Sequence, residues 1–163
     1  MKIIIRPLEK KDNPVIAELI RVIFRQMNIK QEGTVYSDPT TDNLYELFKT
    51  PNSKYFVAEE NGILLGGCGI FPTLGLPEGC TELVKLYLAK ESRGKGIGNE
   101  LMQKSISAAK ELGFKQMYLE SFPEFATAVD MYEKSNFKKI DKPLGNTGHF
   151  SCNLWMVKKL SSE

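Results

Sequence analysis

Residue type and spacing concentrate potential chemistry in one hexapeptide, Arg93-Gly94-Lys95-Gly96-Ile97-Gly98. Glycines at alternate positions let the backbone come close to a ligand, and Arg93 and Lys95 set positive charge beside them. The hexapeptide follows the apolar run Glu82-Leu83-Val84-Lys85-Leu86-Tyr87-Leu88. It precedes a segment in which Leu101, Met102, Ile106, Ala109 and Leu112 recur at helical spacing. Strand, glycine turn and helix in that order make a seat for phosphate, because N–H groups of the turn and of the first helical turn lack partners inside the helix. Two other glycine motifs fit less well. A dinucleotide fingerprint would sit in an early strand-turn-helix unit with different glycine spacing and an acidic residue near the end of the next strand. A nucleotide P-loop would end in Gly-Lys-Ser/Thr.

The elements that must hold this turn can be read on either side of it. Residues 2–6 carry three isoleucines before Pro7, a first strand. Asp12 or Asn13 is placed to cap a helix that has Pro14 near its start and the stripe Val15, Ile16, Leu19, Ile20, Ile23, Phe24 and Met27. Residues 31–41 are polar and irregular, and a short helix is expected over 42–48. Residues 55–58 and 63–71 form a hairpin across Glu59-Glu60-Asn61-Gly62, whose second arm contains Gly66, Gly67 and Gly69, suited to a bulge, a bend or close packing. Gly113 ends the long helix. A strand over 115–121, a helix over 124–135, a short strand from Phe137, a loop over 141–148 and a last strand through Leu154, Trp155, Met156, Val157 and Leu160 follow.

With 163 residues, 42% of them hydrophobic, the chain is long enough for one globular domain with a substantial core. A formal net charge of +2, from 22 basic and 20 acidic residues, argues against a dedicated nucleic-acid binder. The three cysteines, Cys68, Cys80 and Cys152, lie in no metal spacing, and their odd count fits a reducing, cytoplasmic setting. The first residues read as neither a signal peptide nor a membrane span.

The sequence resembles the Gcn5-related N-acetyltransferase family over nearly its whole length. The Q/R-x-x-G-x-G/A motif of that family is matched by residues 93–98. Its A-x-x-L-Y-x-x-x-G-F segment is matched by Ala128, Met131, Tyr132, Asn136 and Phe137. Asn136 replaces the usual Gly, and Asn is the best substitute where a left-handed backbone is needed. Phe125 stands where many relatives carry Asn, which removes a polar contact at the cofactor end. The resemblance implies a single N-acetyltransferase domain over residues 1–163. Its fold would be α+β, with a central mixed, mostly antiparallel sheet flanked by helices and split at a splayed central strand pair.

The implied cofactor is acetyl-coenzyme A, held by residues 93–98, with its pantetheine arm paired to Leu86, Tyr87 and Leu88 and a backbone N–H near Leu88 serving the thioester oxygen. Glu82, eleven positions before Arg93, matches a family glutamate that acts as general base directly or through water. Tyr132 matches a tyrosine that protonates the leaving thiolate. His149 is the only histidine and is placed, with Tyr36, Tyr45 and Glu120, as an acceptor-side candidate. No metal is expected. Direct transfer to the primary amine of a small molecule is the favoured reading. Acetylation of a peptide or protein N-terminus or lysine is an alternative, as is a non-catalytic acyl-coenzyme A-binding regulatory module. Neither nucleic acid nor membrane is an expected partner, and the protein would be a monomer or homodimer.

Overall fold

Period-two alternation decides which side chains face which layer of the molecule. In a computed structural model describing residues 2–147 and 151–160, strand β2 (Lys54–Glu60) sends Tyr55 and Val57 to one face of a sheet and Phe56 and Ala58 to the other. The sheet has seven strands in the order β1-β2-β3-β4-β5-β7-β6. The remaining strands are β1 (Ile3–Pro7), β3 (Ile63–Phe71), β4 (Cys80–Leu88), β5 (Gln116–Ser121), β6 (Lys138–Ile140) and β7 (Leu154–Lys159).

Helix α1 (Asn13–Gln26) covers one face, burying Ile16, Ile20 and Phe24 against Tyr55, Val57 and Phe122. A four-residue helix, α2 (Leu44–Leu47), buries Leu44 in the same cluster. Helices α3 (Ile97–Glu111) and α4 (Ala126–Lys134) bury Ile97, Leu101, Ile106, Val129 and Tyr132 in the cluster on the other face, with Cys68, Ile70 and Met117. Each fully buried Ile or Leu in these layers is worth about 1.5–3 kcal/mol of transfer free energy.

The expected hairpin turn has Asn61 and Gly62 both at positive φ, 53° and 79°, which matches the twist of the strands it joins. Asn136 adopts φ 73°, so the replacement of glycine there keeps the left-handed turn. Three local expectations differ. Asp12 does not cap α1 with its side chain; its carboxylate accepts from Arg6 and from the Glu9 N–H instead. The segment over 42–48 divides into a 3₁₀ turn, Pro39–Asn43, and α2, because Asp38 accepts from Thr40 and winds the chain tightly. Val15 and Leu112, read as parts of apolar stripes, are 50% and 39% exposed at the margins of their helices.

Every strand pair is antiparallel except β4 with β5. That parallel pair is in register only at Cys80–Gln116, Thr81–Met117 and Glu82–Tyr118, after which the two strands part. The fold thereby opens a wedge in its own sheet, with Glu82 at the vertex.

Candidate active site

The wedge forms a cleft of about 430 Å³, lined along one wall by β4 and along the other by residues 120–122 and the start of α4. Its mouth is the glycine turn. Gly94 and Gly96 have φ 78° and 79°, and a Cβ built on either would meet nothing within 4 Å, so backbone conformation rather than crowding calls for glycine there. The first bond of α3 runs from the Glu100 N–H to the Gly96 carbonyl at 3.1 Å. Among the described residues the N–H groups of Ile97, Gly98 and Asn99 consequently have no acceptor, and the start of the helix dipole adds to the positive potential they make. Arg93 is exposed, and its guanidinium donates to the Leu88 carbonyl at 3.2 and 3.3 Å, tying the turn to the end of β4.

The strand offers one further free donor. Ala89 N–H donates to Leu65 O at 2.8 Å, so the neighbouring pair Gly66–Leu88 is a non-hydrogen-bonded one, and the Leu88 N–H points away from β3 toward the wedge. Leu86 and Tyr87 line the same wall.

Glu82 is 5% exposed at the vertex. Burial pushes its carboxyl up to about 8; the hydroxyl donated by Thr73 and the charge of Lys85 pull the other way, while Glu120 adds to the rise. Glu120 itself accepts hydroxyls from Tyr118 at 2.6 Å and Thr147 at 2.7 Å. Tyr132 packs its ring on Phe137 with centroids 5.8 Å apart, and burial raises its phenol well above the ordinary range, so it is protonated at neutral pH. Its hydroxyl has no partner among the described residues. Since no fully enclosed polar side-chain atom among the described residues lacks one, that hydroxyl opens on the cleft.

The structure brings Glu82, Leu86, Tyr87, Leu88, Arg93, Gly94, Gly96, Ile97, Gly98, Glu120 and Tyr132 to one cleft, while Lys95 is outside its lining. Two acceptor-side candidates lie elsewhere. Tyr36 is engaged by Arg25 at its hydroxyl and Arg21 at its carbonyl, and Tyr45 faces a second hollow with Phe48 and Lys49. His149 lies outside the described residues. Phe125, at the position where a polar contact is missing, joins Phe24, Tyr87 and Phe122 in an aromatic wall with centroid separations of 5.9–6.2 Å. Lys85 and Thr73 were not among the sequence candidates. A lysine in the middle of the run ELVKLYL was a visible signal; Thr73 carried none, because only the fold returns the chain to Glu82.

A sheet split between parallel neighbours, with free amides at a glycine turn and a carboxyl at the vertex, defines the N-acetyltransferase class of α+β fold. Residues 19–137 match the family model described as Acetyltransferase (GNAT) family, and the chain belongs to that family. It is 36% identical over 158 residues to the uncharacterized N-acetyltransferase YjgM of Escherichia coli, spanning 96% of this chain and 95% of that one. The fold is shared with a GNAT-family acetyltransferase of Staphylococcus aureus, at TM-score 0.82 and 22% identity over 98% of this chain and all of that one. It is shared also with the PaiA N-acetyltransferase of Thermoplasma acidophilum solved in complex with coenzyme A, at TM-score 0.77 and 22% identity over 98% and 99% of the two chains. Among the described residues no helix is long and apolar enough to cross a membrane.

Proposed function

We propose that the protein transfers an acetyl group from acetyl-coenzyme A directly to the primary amine of a small molecule. The observation that carries the reading is the run of unengaged N–H groups over Ile97, Gly98 and Asn99 at the mouth of a wedge whose vertex holds a buried, protonatable carboxyl. Coenzyme A fits these residues: its diphosphate needs donors without partners, and its pantetheine arm needs a strand edge with free amides and an apolar wall. Acetyl-coenzyme A supplies an acyl group already activated as a thioester.

The chain's own residues then have four tasks. Gly94, Gly96 and the first turn of α3 bind the diphosphate, Leu86 to Leu88 align the arm, and Phe24, Phe122 and Phe125 exclude water. Glu82 takes the proton that an incoming ammonium must lose, directly or through water, which its raised pKa suits it to do near neutral pH. The Leu88 N–H faces the place where negative charge develops on oxygen. Tyr132, protonated and open to the cleft, returns a proton to the departing sulfur. No cysteine serves as an acyl carrier in this scheme, since burial pushes the thiols of Cys68 and Cys152 up to about 12 and that of Cys80 up to about 11. Ile23, Phe24 and Met27 of α1, with Val35, line the same cleft of about 430 Å³, a volume suited to a small acceptor.

The test is release of free thiol from acetyl-coenzyme A across a panel of small amines and peptides, with mass spectrometry of the products. Amine-dependent release with an N-acetylated small molecule is expected. Release only with peptides would overturn the acceptor class, and binding of coenzyme A without release on any amine would overturn the enzymatic reading.

A further inference from the structure

Lys85 takes no part in the chemistry above, yet the fold goes to some length to place it. It adopts φ 55°, a left-handed conformation that a lysine in a strand rarely takes. The pairs Gly69–Val84 and Gly67–Tyr87 leave Lys85 and Leu86 opposite Cys68 alone, so β4 carries one extra residue here as a bulge. Tyr55 fixes the bulge, its hydroxyl donating to the Lys85 carbonyl at 2.6 Å. To reach it the Tyr55 ring lies across β3, where a Cβ on Gly67 or Gly69 would come within 2.6 Å of the ring. Three strands thus cooperate to set one cationic side chain into the cleft wall.

What that cation meets is incomplete. Among the described residues Lys85 makes no ion pair and no side-chain hydrogen bond, although protein surrounds it closely enough that burial lowers its pKa, opposed by the charges of Asp38 and Glu82. The acids around it are engaged by other donors. Asp38 accepts from the N–H and hydroxyl of Thr40 at 2.9 and 2.7 Å, Glu82 from Thr73, and Glu120 from Tyr118 and Thr147. Since every fully enclosed polar side-chain atom among the described residues has a partner, the Lys85 amino group opens on the cleft that it lines. A cation so placed, with no acid in pairing distance among the described residues, is a receptor for an anion.

Building on the acetyl-transfer reading, we propose that Lys85 is the anion-binding group of the acceptor subsite, so that the acceptor is an amine bearing its own carboxylate or similar oxyanion, an amino-acid type of molecule. Its ammonium faces Glu82 and Glu120, and its anion completes Lys85. A polyamine would set a second cation against Lys85 and be disfavoured.

Steady-state kinetics on a matched series tests this: an α-amino acid, its carboxamide, and the amine lacking the carboxyl group, with wild type, Lys85→Met and Lys85→Arg. In the wild type kcat/KM for the acid should exceed that for both analogues by about tenfold or more, mostly through KM. The ratio should fall toward one in K85M and be largely kept in K85R. Transfer to all three acceptors with equal kcat/KM, or a wild-type ratio that persists in K85M, would overturn the proposal and leave acetyl transfer standing. Acetyl found on Lys85 after incubation with acetyl-coenzyme A alone would also overturn it, by making the lysine an acceptor. Absence of transfer to any amine would remove the underlying reading and this one with it. Should K85M fail to fold, the wild-type ratio and K85R still decide.

Discussion

Glu82 keeps its proton to about pH 8 because the vertex of the wedge withholds water from it, and this has two consequences of known sign. Turnover should rise as pH rises through about 8, where the carboxyl becomes a base; a rate independent of pH from 6 to 9 would contradict that role. A carboxyl whose pKa is raised by folding binds its proton more tightly in the folded chain, so stability should decline as pH rises from the ordinary 4.5 toward about 8. Thermal melts of Glu82→Gln should show a shallower decline than wild type over that interval, and an identical slope would mean that Glu82 is not the group responsible. Tyr132→Phe should lower kcat on the order of 10²-fold while leaving affinity for coenzyme A nearly unchanged. Unaltered turnover would remove the phenol as proton donor. At this scale the family resemblance pointed to Glu82, eleven positions before Arg93, and to Tyr132 in the 128–137 segment, and both line the cleft. It was silent on Thr73 and on the surroundings of Tyr36 and Tyr45, which depend on how α1 and α2 fold back.

Among the elements, the glycine turn and the β4 bulge bear most on the site. Gly96→Val would force a β-branched residue to φ 79°, a backbone conformation strained for it, and so distort the turn that presents the amides. Coenzyme A affinity by calorimetry should fall at least about tenfold, and an unchanged Kd would remove the turn as the phosphate seat. Gly67→Ala would bring a methyl within 2.6 Å of the Tyr55 ring, so a loss of about 1–3 kcal/mol in chemical denaturation is expected from overpacking. The glycines of β3 were recognisable as unusual in a strand, and close packing was one of three readings open to them. That the partner is Tyr55, reaching across to Lys85, could not be read from local pattern, because it depends on register among three strands.

Across the whole molecule, the split between β4 and β5 determines everything placed in it. Alternation and helical spacing made the order of elements legible, together with the hairpin, and the resemblance added the left-handed turn at Asn136. The point at which the strands part was expected only from the resemblance; in the structure pairing ends at Glu82–Tyr118, a fact of tertiary geometry that no local propensity encodes. This arrangement of cofactor and cleft meets its sharpest test in the structure of the protein crystallised with coenzyme A. It predicts diphosphate oxygens within hydrogen-bonding distance of the Ile97, Gly98 and Asn99 amides, and the sulfur between the Leu88 N–H and the Tyr132 hydroxyl. A ligand bound in the second hollow beside Tyr45, or a diphosphate held by lysines while those amides stay unengaged, would contradict it.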